Sequence, residues 1–533
     1  MSSATTMDAL PVSARSPTSG AGGADQLSPR RLLAFVAMCF GMFMAFLDIQ
    51  IVSASLAEIQ AGLSASADEI PWVQTSYLVA EVIAIPLSGF LSRALGTRVL
   101  FTMSAAGFTL ASIMCGLSTS IHSMMVWRAL QGFIGGGMVP TVFASAYVIF
   151  PGPRQKMVAP VVGLIATLAP TVGPTIGGYV TEAASWHWLF FINIVPGIIV
   201  TAATYVLVDF DRPDHSLLKN FDWWGLLSMA GFLGSLEYVL EEGPRYDWFD
   251  DRTITLLAIV SAASAVAFFV RVLTARVPIV DLSAFLNRNF AIGSLFSFVL
   301  GIGLYGLTYI YPVYLAQIRG YNSLMIGETL FVSGLTMFAA APVAGQLSER
   351  FDPRFMLMGG FVLFAIGTWQ MTFVTSEWDF WELLWPQIFR GLGLMFAIVP
   401  VTNTALGTLT PERMKNASGL FNLMRNLGGA IGLAAINTVL NNRMDLHLAR
   451  LHEAVTWSRE PAMEMLNNLT AHFQGSDAHS MALKQMMAMV RQQAAVMSFA
   501  DVFLMLTVLF LGLAAVGIIM KRPAPVAAGA GGH

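Results

Sequence analysis

Charged side chains are scarce in this chain. Asp, Glu, Lys and Arg make up 11% of its 533 residues, against about 25% in soluble globular domains, which excludes an ordinary soluble enzyme. The formal net charge of −3 offers no basic surface, so no nucleic-acid partner is expected. Cysteine is nearly absent. Cys39 and Cys115 lie in apolar runs, one placed near the inner end of its helix and the other near the outer end, which excludes a disulfide framework. Lysine is rare, and the lysines precede Met157, Asn220, Asn416, Gln485 and Arg522. None precedes Ser or Thr, so there is no P-loop to hold ATP. With no soluble catalytic domain either, the expectation is a non-enzyme without cofactor or metal, driven by an ion gradient or by a separate subunit.

What the chain has instead is apolar length. It is 56% hydrophobic with a mean hydropathy of +0.66. A membrane span needs about 20 mainly apolar residues, and such runs occur at 32–54, 72–91, 99–118, 124–148, 158–180, 188–208, 223–241, 254–273, 290–311, 326–347, 355–375, 382–406, 420–440 and 499–519. Only helices satisfy lipid-buried backbone in runs of this length, so the expected class is an all-α polytopic membrane protein with fourteen spans. Arg30, Arg31, Arg93, Arg98, Arg154, Lys156, Arg212, Lys219, Arg276, Arg288, Arg350, Arg354, Arg413 and Lys415 fall in alternate loops, and Lys521 and Arg522 follow the last run. The positive-inside rule then places both termini in the cytoplasm.

The chain repeats itself. IPLSGFLSRALGTR (Ile85–Arg98) and APVAGQLSERFDPR (Ala341–Arg354) align without a gap, and Trp127-Arg128 is echoed by Phe389-Arg390. Duplicated halves around a central site mark transporters. The expected organisation is a disordered tail (1–31), a first six-helix bundle (32–208), two inserted helices with their flanking loops (209–289), a second six-helix bundle (290–519) and a tail (520–533). Within the second bundle, 441–498 is a long outer loop. Met444, Leu448, Leu451 and Val455, then Leu483, Met487, Val490, Ala494 and Met497, recur at helical spacing and predict a helical hairpin rising from helices 13 and 14. His447, His452, His472 and His479 also lie there, without the i,i+3 or i,i+4 spacing of a metal site.

Within this apolar sequence a few charges fall inside the spans. Asp48 lies in LLAFVAMCFGMFMAFLDIQIVSASL, Glu81 in helix 2, and Arg128 early in helix 4. A carboxylate at mid-membrane costs roughly 2.5–3.5 kcal/mol on insertion scales, so these groups are expected to face the bundle interior and to pair, the carboxylates carrying protons with Arg128 as structural partner; the competing reading is a static salt bridge that fixes packing. Gln131, Arg390 and Arg425 are candidate cavity residues, Arg425 being placed about one turn from the inner end of its helix. Glu237 and Glu241 share a face of helix 7, and a structural or interfacial role is favoured for them. In GLIATLAPTVGPTIGGYV, Pro174 bends helix 5 while Gly173, Gly177 and Gly178 give it a small-residue face.

Together these words resemble the major facilitator superfamily, and more narrowly its fourteen-helix drug:proton antiporters of the EmrB/QacA type, closest to the EmrB branch. FLDIQIVSASL is similar to that family's helix-1 motif, with Asp48 at the motif Asp. GFLSRALGTR is similar to its helix 2–3 loop motif: Gly89, Gly96 and Arg98 fit, while Arg93 stands where an Asp is usual. In the second half Gly345, Glu349 and Arg354 hold the matching positions. WRALQG is similar to the helix-4 motif, APTVGPTIGGY to the antiporter motif, and SWHWLFFINIVPG to the EmrB branch. The resemblance implies the two-bundle facilitator fold in a bacterial inner membrane. It further implies proton-coupled export of drugs or toxic lipophilic and amphiphilic compounds by alternating access, with a periplasmic adaptor and an outer-membrane channel as partners. A dedicated exporter of one metabolite, siderophore or fatty acid is the alternative; a non-transporting sensor or scaffold would need neither buried charges nor broken helices.

Overall fold

A computed structural model describes residues 28–66, 69–150, 158–211, 213–219, 221–409, 411–456, 458–473 and 477–517. Nearly all of the N-terminal tail, the segment 520–533, and the loop cations Arg154, Lys156, Arg212, Lys521 and Arg522 lie outside the described residues, as does the side chain of Glu349.

The described chain is helical, and every apolar run coincides with a long helix. These are α1 (Pro29–Ala54), α2 (Trp72–Leu95), α3 (Thr97–Gly116), α4 (Ile121–Gly135 continued by Met138–Ile149), α5 (Val158–Ala183) and α6 (Trp188–Phe191 continued by Ile194–Leu207). Next come α7 (Trp223–Glu242), α8 (Arg252–Thr274), α9 (Arg288–Arg319), α10 (Ser323–Arg350), α11 (Pro353–Gln370), α12 (Phe380–Leu406), α13 (Pro411–Ala454) and α14 (Ala478–Val516). Among the described residues, 12 candidate spans are long and apolar enough to cross a membrane. Outside that set are α5, part of whose side chains are not described, and α7, whose Trp, Tyr and Glu residues lower its hydropathy.

Helices α1–α6 form one bundle and α9–α14 a second. They meet where α5 packs on α10 and α12, and where α2 and the later part of α4 pack on α13. The start of α1 lies beside the ends of α4 and α6: Phe35 meets Phe150 edge to face at 5.1 Å, and Arg30 Nη2 donates to the Val206 carbonyl at 2.7 Å. Tyr147 Oη, near the end of α4, donates to the Thr402 carbonyl of α12 at 3.2 Å. This face, called the terminal side below, carries direct ties between the two halves.

The inserted pair is unequal. Asp222 caps α7 by accepting from Gly225 N at 3.0 Å and binds Arg271 of α8 at 2.8 Å. α8 turns most of its surface outward, with only 17% of its span buried. By contrast α7 lies against α2 and α13 at the seam between the bundles.

The predicted hairpin is present. At 44 and 39 residues, α13 and α14 run about 66 and 58 Å, roughly twice the hydrocarbon thickness of a bilayer. Between them lies a third helix, Glu460–His472, not anticipated from the spacing. Its Leu466 packs on Ala482 and Met486 of α14. At the hairpin root Asp501 accepts from His447 Nε2 at 2.8 Å and pairs with Arg443 at 3.5 Å. Among the described residues no group of three His, Cys, Asp or Glu side chains is arranged to hold a metal. Cys39 and Cys115 are free, buried thiols.

Candidate functional site

Asp48 and Arg128, 80 residues apart in sequence, form a closed ion pair with Nη1 to Oδ2 at 2.6 Å and both side chains 0% exposed. The pair is the core of a network. Gln131 Nε2 donates to Asp48 Oδ1 at 3.1 Å, and Asn193 Nδ2 donates to the same oxygen at 2.8 Å. Arg128 also donates to Gln131 Oε1 at 2.8 Å and to the Val73 carbonyl at 3.1 Å, and lies 4.3 Å over the Tyr77 ring. Asn193 reaches on to Ser112 Oγ at 3.0 Å, and Ser112 to the Phe190 carbonyl at 2.9 Å. Helices α1, α2, α3, α4 and α6 are thus joined through one carboxylate. Burying a charge is tolerable only when it is paired and hydrogen-bonded, and here it is both. Asp48 receives three donors.

Glu81 is placed differently. It is 5% exposed, accepts no hydrogen bond from the described residues, and lines a cavity of about 280 Å³ between α1, α2, α7, α9 and α13. The wall is mostly apolar, with polar groups at Gln50, Gln74, Asn426 and Asn437. Tyr305 and Tyr309 of α9 donate to Asn426 Oδ1 at 3.0 Å and to Asn437 Oδ1 at 2.8 Å, which fixes the α9–α13 wall. Glu237 and Glu241 of α7 complete the lining. A concave, largely apolar site with a few convergent polar groups is the usual form of a small-molecule pocket.

The antiporter-like word of α5 lies directly behind this site. A Cβ on Gly173 would stand 2.4 Å from Gln50 Cβ, and one on Gly177 would stand 3.1 Å from the Ile51 carbonyl. Gly173 and Gly177 therefore let α5 touch α1 two and three residues beyond Asp48. Pro174 is buried within the same helix and Gly178 is half-buried.

On the terminal side, the loop after α2 meets the start of α13. Gly89 allows close approach, since a Cβ there would lie 3.0 Å from the Lys415 carbonyl. Gly96 has φ +80°, the left-handed region that favours glycine. Arg93 lies 5.9 Å over Phe90, and Arg98 4.7 Å over Tyr205. Arg93 leaves this loop motif without its usual carboxylate, and Asp211 brings one to the same place. Asp211 Oδ2 accepts from Thr97 N at 2.9 Å and Thr97 Oγ1 at 2.6 Å, and it pairs with Lys415 of the second half. Lys415 Nζ also donates to the Ser92 carbonyl at 3.1 Å, and Asn416 Nδ2 to the Asp281 carbonyl at 2.6 Å. In the repeat-related loop, Gly345 is buried near the end of α10, and Arg354 sits 4.0 Å from Asp352, the residue that caps α11.

The candidate cavity cations do not line the cavity. Gln131 belongs to the Asp48 network. Arg390 donates to Gln387 Oε1 at 3.2 Å and stacks 5.3 Å over Tyr311, with no ion pair among the described residues. Arg425 lies deeper than the sequence placed it. Because α13 begins at Pro411, Arg425 is about four turns into the helix, 2% exposed, bonded to Asn422 and 5.4 Å over Phe143. The apolar run starts late because Lys415 and Asn416, inside the helix, are polar. Asn193, Asp211 and the α7 glutamates were not singled out as site residues. Of these, Glu237 and Glu241 carried the one readable signal, two acids four apart on a helix.

Comparison with known proteins agrees with this geometry. Residues 38–433 match the Major Facilitator Superfamily. The chain is 44% identical to the colistin resistance protein EmrB of Acinetobacter baumannii, covering 92% of this chain and 96% of that one. It is 31% identical to the fatty acid resistance protein FarB of Neisseria gonorrhoeae (94% and 98% covered) and 30% identical to the multidrug export protein EmrB of Escherichia coli (93% and 96% covered). Among solved structures, the human organic anion transporter MFSD10 aligns over 91% of this chain and 100% of its own with a TM-score of 0.57 at 13% identity. The proton:xylose symporter XylE aligns over 92% and 97% with a TM-score of 0.56 at 11% identity. These two share the fold. The chain belongs to the major facilitator superfamily, among its EmrB-type export proteins, and is a multi-pass efflux transporter of the bacterial inner membrane.

Proposed function

We propose that the protein exports lipophilic and amphiphilic toxic compounds in exchange for protons, by alternating access of the cavity between its two halves. The observation that carries this reading is the placement of Glu81. It is a buried carboxylate facing the substrate-sized cavity, with no hydrogen-bond or ion-pair partner among the described residues, one helix away from a fully satisfied Asp48–Arg128 pair. Glu81 accepts and releases the proton, and Arg128 carries the change of state to α1, α4 and α6 through Asp48. In the described arrangement the terminal side is tied shut by Lys415–Asp211, Asn416–Asp281 and Tyr147–Thr402. That side is the cytoplasmic one on the charge asymmetry of the loops, with fourteen spans and both termini inside.

The relatives' names speak of multidrug export, fatty acid resistance and colistin resistance, which supports toxic compounds as cargo over a single metabolite. The hairpin of α13 and α14 supports a further element of the reading, assembly with a periplasmic adaptor and an outer-membrane channel.

The test uses everted membrane vesicles with an acid interior, to which ethidium, decanoate and a bile salt are added in turn while a quenching dye follows internal pH. Wild type discharges the gradient on addition of a cargo compound, and Asp48→Asn does not. Equal discharge by both proteins would remove Asp48 from the coupling path, and no discharge by wild type with any compound would defeat proton exchange for this cargo class.

A further inference from the structure

The cavity of a two-bundle transporter is built between its halves, which by itself leaves an inserted helix no part in it. Here α7 is part of the cavity wall. It contributes Glu237, Leu240 and Glu241, and with Glu81 across from them the cavity carries three carboxylates. No Lys, Arg or His lines it. Arg425, bonded to Asn422 and facing the Phe143 ring, lies within electrostatic reach of Tyr305 and Glu81 at one end of the lining, whereas no such cation reaches Glu237 or Glu241 among the described residues.

Pairing is available to the other acids of this element. Glu242 accepts from Thr75 Oγ1 at 3.3 Å and pairs with Arg245 at 3.6 Å, and Asp222 pairs with Arg271. Glu237 has nothing comparable. It is 6% exposed, and its Oε2 is buried without a hydrogen-bond partner. A buried acceptor left open beside a cavity is the mark of a group whose partner arrives with the ligand. The surroundings define that partner. The apolar wall suits a lipophilic body, the tyrosine rings of α9 offer faces to a cation, and the carboxylates supply the opposite charge.

We infer that Glu237 and Glu241 of the inserted helix are specificity-determining residues of the transport cavity, selecting amphiphiles that carry a positive charge. This rests on the cavity being the cargo site of the exporter proposed above, but it does not require proton coupling. Cation and proton then compete within one cavity, cargo bound at Glu237 and Glu241 displacing the proton from Glu81.

Tetraphenylphosphonium and tetraphenylborate test this directly, because they have nearly the same size and shape and opposite charge. Binding of each is measured to the purified full-length protein in nanodiscs, without any gradient. The wild type is expected to prefer the phosphonium by about tenfold or more, given the strength of a charge pair away from bulk water. Glu237→Gln combined with Glu241→Gln brings the ratio close to one, and Glu464→Gln, on the exposed hairpin helix, leaves it at the wild-type value. If the double variant does not fold, Glu241→Gln alone, at the half-buried position, reads the same ratio and lowers it by about threefold. Equal binding of the two ions by wild type, or a ratio unchanged in the glutamine variants, would overturn the inference. Since no proton movement enters this measurement, its failure is distinct from a failure of the vesicle experiment.

Discussion

At the scale of single residues, Asp48 and Glu81 divide two tasks that a sequence reader assigns to one. Both are acids inside spans, and the cost of a lone charge there was enough to expect Asp48 to pair. Burial and partners then separate them. Asp48 is saturated by Arg128, Gln131 and Asn193, while Glu81 faces the cavity with no donor among the described residues. Removing Arg128 would strand a buried carboxylate, which typically costs about 3–5 kcal/mol. Arg128→Ala is therefore expected to lower the thermal unfolding midpoint in detergent substantially. Arg128→Lys is expected to recover little, because an ammonium lacks the planar fork that serves Asp48, Gln131 and the Val73 carbonyl at once. Full recovery by Lys would show that only charge matters there. The part of Asn193 in this network was not legible, because an amide in an apolar run gives no sign of which helix it will face. Glu237 and Glu241 were visible as a pair on one face, but which neighbour that face meets is a tertiary fact.

At the scale of elements, the apolar runs were sufficient to place the long helices, since lipid-buried backbone leaves no other choice. Their ends were less readable. Hydropathy starts helix 13 at residue 420, whereas α13 begins at Pro411. The polar first turns of α13 are held by α2 and by Asp211 instead of lipid, and hydropathy does not register such contacts. The same displacement moved Arg425 from about one turn to about four turns inside its helix. Asp211 itself shows how a missing motif residue is replaced from elsewhere in the chain: Arg93 takes the motif position, and a carboxylate arrives from the segment after α6. Asp211 and Lys415 then join the halves, and their side chains are mostly buried. A double-mutant cycle of Asp211→Asn and Lys415→Met on export rate should return a coupling energy of about 0.5–3 kcal/mol. Additive effects would mean that Asp211 serves only to cap α3 through Thr97.

At the scale of the whole molecule, the chain is two bundles, a cavity shared between them, and two additions. One addition, α7, enters the cavity wall, and α8 anchors it from the lipid side. The other is the hairpin, which continues α13 and α14 far beyond the bundle and packs a short helix at its tip. Its two arms were readable from apolar spacing; the third helix, amphipathic and largely exposed, was not. Replacing residues 452–487 by a short linker is expected to leave cargo-driven proton discharge in vesicles unchanged while abolishing resistance in whole cells, because the tip would serve assembly and the bundle transport. Resistance that survives the replacement would mean export without an adaptor.

The account turns on Glu81 as the group that exchanges its proton against cargo. The most direct measurement is proton release from purified protein in weakly buffered detergent when ethidium is added, read by a soluble pH dye. The account predicts release from the wild type and none from Glu81→Gln, with ethidium still binding to the variant. Release of the same size from Glu81→Gln would contradict it.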